Sequence, residues 1–354
     1  MRLSVIISSY NYRDFVGAAI ASALAIDWPD KEVIVVDDAS TDDSRSVIDG
    51  FRGRVEAHFR PKSHQLSAHK YGFEQSKGDI VILLDADDLL ESEVMQEIAK
   101  VWRPGVSKVQ FRMNLIDAAG TFLGTAIPQF PQADDPEKLR RVYFRTMAYT
   151  TPPGSGNAYS RDFVQNAYAM LPSTMRWSDD LLLTLAPILG DVLTIRKPLA
   201  RYRIHAANDG AMRSLDAAKL RMRLQQDVEK AHLFSAVSQR LGLSVPSDPL
   251  GHSLHHLQYR LASYLLEPRA HPFAADTMPS LVRRLASSTM AYSQTPLRYR
   301  AMLLVWAIAC ALSPRHYRAN LVLWRFAPTS RPTVIRTLLG ALSSLRSPRL
   351  PDRA

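Results

Sequence analysis

Three features of the 354-residue chain predict an α/β protein, a Rossmann-like and mostly parallel sheet with helices on both faces, followed by a helical C-terminal region. Apolar, β-branched runs stand at LSVIIS (3–8), EVIVV (32–36) and DIVILL (79–84), with helix-forming stretches between them. Runs of that kind belong to strands buried on both faces, and their alternation with helices signals a parallel sheet. Beyond Leu215 the sequence reads almost wholly helical.

Leu3–Ser8 is the first strand, and Asp14 caps a helix running through AAIASALA toward Asp27. The second strand, Glu32–Val36, ends in Asp37-Asp38, after which Ser40 or Asp42 caps a helix reaching about Phe51. A third strand fits Val55–Phe59, and a helix fits His64–Ser76, closed by Gly78. The fourth strand, Asp79–Leu84, ends in Asp85-Ala86-Asp87-Asp88, followed by a helix from Glu91 to Trp102 and a strand near Val106–Phe111. Prolines and the Gly154-Ser155-Gly156 run then mark loops around a helix at about Glu137–Arg145. Helices at Arg161–Met170 and Asp179–Leu189 and a short strand at Asp191–Ile195 complete a first domain, expected to span residues 1–212. Residues 213–354 form the α-helical remainder.

Hydrophobic residues at 46% and charged residues at 22% are ordinary for a soluble globular protein and exclude disordered, collagen-like and coiled-coil chains. The single cysteine, Cys310, excludes a disulfide framework, a cysteine-ligated zinc site and an iron–sulfur cluster, and suits a reducing cytoplasm. No secretory signal is expected, because Ser8-Ser9-Tyr10-Asn11 interrupts the first apolar run. The longest membrane-like stretch, Ala301–Leu312, has 12 residues and is too short to cross alone. No GxGxxG or GxxxxGK[ST] occurs, which disfavours a Rossmann dehydrogenase and a P-loop NTPase.

Ligands of open α/β sheets bind outside the carboxyl ends of the strands. Ser8–Tyr10, Asp37-Asp38 and Asp85–Asp88 all stand at such ends, so three polar clusters meet on one rim. Three carboxylates within four residues repel one another unless a cation sits among them. The expected cation is Mg²⁺ or Mn²⁺, which take oxygen ligands and bridge to phosphates. Strand alternation puts Asp85 and Asp87 on one side and Asp88 on the other; the competing role for such a turn is to cap the next helix. Asp37-Asp38 is equally suited to helix capping or to accepting hydrogen bonds from a base or a ribose.

In that order and spacing, SVIISSYN (4–11), VIVVDDAST (33–41) and ILLDADD (82–88) resemble a family 2 glycosyltransferase of the GT-A fold. SAHKYGFEQSKGD (67–79), PPGSGNAYSRDF (152–163), SDDLLL (178–183) and YRIH (202–205) extend the likeness over about residues 2–210. The resemblance implies nucleotide contacts from Ser8, Tyr10, Asn11 and Asp38, with Asp38 on the base, and places Asp87 near the donor ribose. It implies metal binding by Asp88, with Asp85 and His205 as further candidates. The catalytic base would be Asp179, with Asp180 as the close alternative, since one of the two is expected to cap its helix. Lys70 stands near a position where many members carry Ala-Arg-Asn, and is a candidate for a phosphate. Gly156 and Asn157, in a loop expected to be flexible, and Arg203 are candidates for the acceptor or the diphosphate; Arg201 and Arg203 could both pair with diphosphate oxygens, the alternative for each being a surface ion pair.

Leu281 to Ala354 hold 12 arginines, no lysine and one acid, Asp352, a net +11 against −1 for residues 1–280. Such asymmetry points to an anionic partner. Arginine-flanked apolar segments with Tyr299, Trp306, Tyr317 and Trp324 suit an interfacial helix on an anionic membrane, the alternative being a bundle packed on the catalytic domain. No nucleic-acid-reading motif is present, and nucleic acid is not expected as a partner. The resulting expectation is an inverting, metal-dependent enzyme moving sugar from a nucleotide-diphosphate donor, UDP-sugar favoured, to a lipid-linked or polysaccharide acceptor in envelope or exopolysaccharide synthesis. It would be cytoplasmic, peripheral on the inner face of the membrane. The alternatives are a non-catalytic scaffold that binds nucleotide sugar and a sugar nucleotidyltransferase; the latter should show a Gly-rich basic loop after Ser8, which is absent.

Overall fold

The computed structural model describes residues 1–130, 135–171, 179–205, 217–291, 297–326 and 331–333. Its contacts divide the chain into two compact units, one of residues 1–208 with 228–250 and one of 209–227 with 251–354. A single cut after residue 212 does not describe this division, because residues 228–250 return to the first unit.

The first unit is built on strands β1 (Leu3–Ser9), β2 (Lys31–Asp37), β3 (Glu56–Phe59), β4 (Ile80–Asp85), β5 (Leu89–Leu90), β6 (Val106–Ile116), β7 (Phe122–Ile127), β8 (Asn157–Ser160) and β9 (Asp191–Arg203). Among the described residues they form one nine-stranded sheet in the order β3-β2-β1-β4-β8-β6-β9-β5, with β7 on β6. The pairs β2–β3, β1–β2, β1–β4 and β6–β9 are parallel. β8 runs antiparallel to both β4 and β6, so the carboxyl ends of β1, β2, β4, β6 and β9 all lie on one rim.

Alternation along the strands fills both faces. Val5, Ile7, Val33, Val35, Ile82 and Leu84 pack with helices α1 (Val16–Leu24), α2 (Ser44–Asp49) and, after the fourth strand, α4 (Val94–Val101). Ile6, Val81 and Leu83 point the other way, against α3 (Gln65–Gln75), α5 (Pro136–Thr146), α6 (Arg161–Ala169), α7 (Asp179–Leu189) and the part of α8 (Ala217–Arg240) that holds Leu233, Phe234 and Val237. The second unit packs α9 (Leu254–Leu266), α10 (Met278–Ala291), α11 (Leu297–Leu312) and α12 (Arg315–Phe326) with Leu220 of α8 around its own core.

Several local expectations are corrected. Phe15, not Asp14, is the N-cap of α1, and no side chain caps it. Asp43 is the N-cap of α2, while the Asp42 carboxylate accepts from Ser44 N at 3.0 Å. Gly78 is not a left-handed cap: α3 ends at Ser76 in extended conformation, and a Cβ on Gly78 would lie 2.5 Å from Ser4 N and 2.4 Å from its Oγ. Glycine is needed there because two backbones touch. β9 runs eight residues past the expected end at Ile195, carrying Arg203 to the rim; the register shifts that accommodate Pro198 against Arg112 break its pattern.

Candidate active site

The rim is assembled by register. Ser9 pairs with Asp37, Ser8 with Asp85 and Ile116 with Arg203, so the residues that follow these strand ends share one edge of the sheet. Asn11 and Ala39, in the loops after β1 and β2, hold φ of 59° and 64°. Asparagine tolerates that left-handed conformation, whereas alanine pays of order 1–3 kcal/mol, a strain typical of functional loops. The loops lock each other: Asn11 N–H donates to Ser40 Oγ (2.9 Å), and Asn11 Oδ1 accepts from Thr41 N (2.7 Å). Asp37 closes its own turn through Ser40 N (2.9 Å), which leaves the next acid to face the rim.

Asp38 is buried. Its Oδ1 accepts from Ser63 N (2.7 Å) and Ser63 Oγ (2.6 Å), and its Oδ2 lies 3.5 Å from Lys62 Nζ. The same ammonium sits 2.7 Å from the centre of the half-exposed Tyr10 ring. Lys62 and Ser63 had no signal in the sequence, since they come from a loop joined to Asp38 only by folding. From α3, His69 rather than the exposed Lys70 reaches Ser8, with Nε2 2.9 Å from Ser8 Oγ.

His69 is fully buried, and desolvation pulls its imidazole down to about 4. Its neutral form therefore stabilises the fold above the unfolded value of about 6.5, and that contribution is lost as pH falls from 6.5 toward 4. His69→Gln should lose about 2–3 kcal/mol less stability than the parent between pH 7 and pH 4.5, measured by urea unfolding. Equal losses in the two proteins would show that His69 becomes protonated without unfolding.

Beyond Asp85 the strand gives way to a turn, closed by Asp88 N–H donating to the Asp85 carbonyl (3.1 Å), so strand alternation does not sort these acids. Asp85 Oδ1 accepts from Gln65 Nε2 (2.9 Å), and Asp85 N–H donates to Ser155 Oγ (3.1 Å). Asp87 Oδ2 lies 2.8 Å from His205 Nε2, whose ring packs at a tilt against Phe15, centroids 4.7 Å apart. Asp88 is fully buried: its Oδ1 accepts from Arg203 N (2.9 Å), while its Oδ2 is buried with no hydrogen-bond partner. Burial and then the neighbouring Asp87 carboxylate push the Asp88 carboxyl up to about 8, against the pull of the Arg203 amide, the nearby Ser155 hydroxyl and the Arg203 charge. Burial also raises Tyr202 to about 12, helped by Asp88, Asp85 and Asp87.

Arg203, expected at the diphosphate, instead holds the acid turn. Its buried guanidinium donates through Nε to the Asp87 carbonyl (2.8 Å) and through Nη1 to those of Asp117 and Ala118 (3.3 and 2.9 Å). Arg201 forms the surface alternative, donating through Nε and Nη2 to the two Glu91 carboxylate oxygens (2.8 and 3.0 Å). Gly154–Gly156, expected as a flexible loop, is a buried 3₁₀ turn. A Cβ on Gly156 would meet Pro152 at 2.6 Å, and Asn157 is buried, donating to the Pro153 and Gly154 carbonyls. Asp179 and Asp180 open α7, but their side chains, like residues 172–178 before them, lie outside the described residues.

The expected metal set of Asp85, Asp88 and His205 is not brought together. Among the described residues no three His, Cys, Asp or Glu side chains converge on a point, and His205 is turned to Asp87. The orphaned Asp88 oxygen nevertheless suits a hard cation, because a buried carboxylate oxygen without a donor is costly unless a positive charge meets it. One or two carboxylates with substrate phosphates complete such a site.

Residues 4–157 match the family model described as glycosyl transferase family 2. An uncharacterized glycosyltransferase of Nostoc sp. is 31% identical over 272 residues, 75% of this chain and 83% of that protein. The poly(ribitol-phosphate) β-N-acetylglucosaminyltransferase TarS of Staphylococcus aureus (strain Mu50) is 28% identical over 199 residues, 53% of this chain but 33% of TarS. The fold is like that of residues 1–349 of S. aureus TarS crystallised with UDP-GlcNAc: TM-score 0.56 at 15% identity, covering 96% of this chain and 92% of that one. A buried acid turn on the rim of a mixed α/β sheet, a family match over that sheet and a relative similar along most of both lengths agree, and this chain belongs to glycosyltransferase family 2.

Proposed function

We propose that the chain transfers a sugar, with inversion, from a nucleotide-diphosphate donor to a lipid-linked or polysaccharide acceptor, using Mg²⁺ or Mn²⁺ held at Asp88. The observation that carries the reading is the buried acid turn in which Asp88 Oδ2 has no partner. Bound there, the cation would offset charge on the departing diphosphate. Arg203 and His205 position the acids, and Asp38 with Tyr10 receives the base. A carboxylate oxygen beside the Lys62 ammonium offers an acceptor next to a donor. That pairing suits N3–H and O4 of uracil, or N1–H and O6 of guanine, with the base N–H on the carboxylate and the base carbonyl on the ammonium. The UDP-GlcNAc complex of the similar TarS structure supports the uracil choice. A single displacement needs one base, assigned to Asp179 or Asp180, and no covalent intermediate.

A panel of UDP-, GDP-, ADP- and CDP-sugars, scored by released nucleotide diphosphate, tests this. Turnover is expected with a uracil or guanine donor and only with Mg²⁺ or Mn²⁺. Undiminished turnover in excess chelator overturns the metal assignment, and preference for ADP-sugar overturns the Asp38–Lys62 reading. No helix among the described residues is long and apolar enough to cross a membrane, and the arginine-rich end of the chain supports a peripheral position on an anionic membrane, where a lipid-linked acceptor would be met.

A further inference from the structure

α11 is apolar on every side from Ala301 to Leu312. One side enters the core of the second unit through Leu303, Trp306, Ala307 and Cys310. The opposite side faces solvent: Leu297 is 71% exposed, Val305 67%, Ile308 50% and Leu312 81%, with Ala301 also exposed. Their spacings of four, four, three and four residues place them on one stripe, about 22 Å long at 1.5 Å per residue. A helix apolar all round is normally buried, and an exposed continuous stripe of this kind marks a surface that something covers.

Charge identifies the cover. Arg298 and Arg300 lie in the first turn of the helix, between Leu297 and Ala301, and Arg315 and Arg318 follow the stripe, with Arg315 exposed, and no aspartate or glutamate occurs between Thr277 and Pro351. A second copy docked through this face by a two-fold axis would present the same arginine-rich surface from both sides, with no acid in the segment to neutralise it. Lipid phosphates supply that neutralisation. Arginines at both ends of an apolar segment too short to cross also fit a helix lying in the plane of the interface.

We propose that the Leu297–Ala301–Val305–Ile308–Leu312 face of α11 is the surface on which the second unit rests on an anionic lipid bilayer, its apolar side chains in the acyl boundary and the flanking arginines at phosphate depth. The proposal deepens the peripheral placement given above and is independent of donor and metal.

The test uses the full chain, floated with vesicles of phosphatidylcholine alone or mixed with phosphatidylglycerol. The parent protein is expected to float with the anionic vesicles, less so as salt is raised, and poorly with phosphatidylcholine alone. The double variant V305D/I308D should bind the anionic vesicles at least about tenfold more weakly, with thermal midpoint and donor turnover in free solution unchanged. Should the charges lower the midpoint, V305Q/I308Q provides the same comparison, with the same weakening expected. Vesicle binding that neither variant reduces overturns the proposal. So does a parent protein that ignores vesicles but self-associates, with V305D/I308D monomeric, because the face is then an interface between copies. If no nucleotide sugar is turned over while vesicle binding follows the expected pattern, the donor reading fails and the docking face stands.

Discussion

Asp88→Asn is expected to leave a folded protein whose sugar transfer is slower by about 10³-fold or more, a loss of several kcal/mol of transition-state stabilisation. The amide keeps an oxygen for the Arg203 N–H, which donates to Asp88 Oδ1 at 2.9 Å, so the turn and the end of β9 should hold together. What disappears is the negative charge of an oxygen that is buried, has no partner and stands beside Asp87. Burial and like-charge repulsion oppose that charge and outweigh the Arg203 and Ser155 groups that favour it. The thermal midpoint of the variant without metal should therefore equal or exceed that of the parent by a few degrees, while Mn²⁺ or Mg²⁺ should raise the parent's midpoint and not the variant's. Two measurements, thermal midpoint with and without metal and release of nucleotide diphosphate, separate a binding acid from a structural one. A variant that unfolds, or one that retains a tenth of the parent turnover, overturns the assignment of Asp88.

The parts of the fold that sequence made legible are those whose pattern is local. β1, β2 and β4 carry continuous apolar runs because both faces of the sheet are covered, and their acids follow at the carboxyl ends where ligands of such sheets bind. The second half of β9 was hidden because Arg196, Lys197 and Pro198 interrupt its alternation, although this segment delivers Arg203 and His205 to the site. Lys108 shows the same limit: nothing in the sequence marks it as an interior residue, yet it is fully buried, its Nζ donating to Tyr149 Oη and Thr151 Oγ1 at 2.9 Å each, and desolvation lowers its pKa well below the usual range. Lys62 over Tyr10, Ser63 on Asp38 and His69 on Ser8 join segments separated along the chain, so no spacing rule announces them. The acids themselves were found by chemistry, and their partners were decided by folding. This is why Arg203, a cation read as available for a diphosphate, turned out to be committed to three backbone carbonyls.

At the start of α7, Asp179→Asn should lower kcat by about 10²–10⁴-fold with little change in the KM for donor, whereas Asp180→Asn should keep a parent-like kcat at a small cost in stability, a few tenths of a kcal/mol, if its carboxylate caps the helix. The asymmetry follows from what each role requires. A general base must accept the acceptor hydroxyl's proton as the oxygen attacks the anomeric carbon, and an amide of the same shape cannot. A capping group needs only an oxygen aimed at a backbone N–H, which asparagine retains in part. α7 is held firmly enough for either role. Leu181, Leu182, Leu185 and Ala186 are buried, and Tyr149 and Tyr143 donate to the Leu183 and Thr184 carbonyls at 2.9 and 2.8 Å. A helix held along its length fixes the backbone of its first turn, which either role requires. Kinetics of both asparagine variants, with Asp179→Glu as a check for partial rescue, distinguish the roles. A large kcat loss in Asp180→Asn alone transfers the base to Asp180, and two variants that both keep parent-like kcat remove the base from α7 altogether.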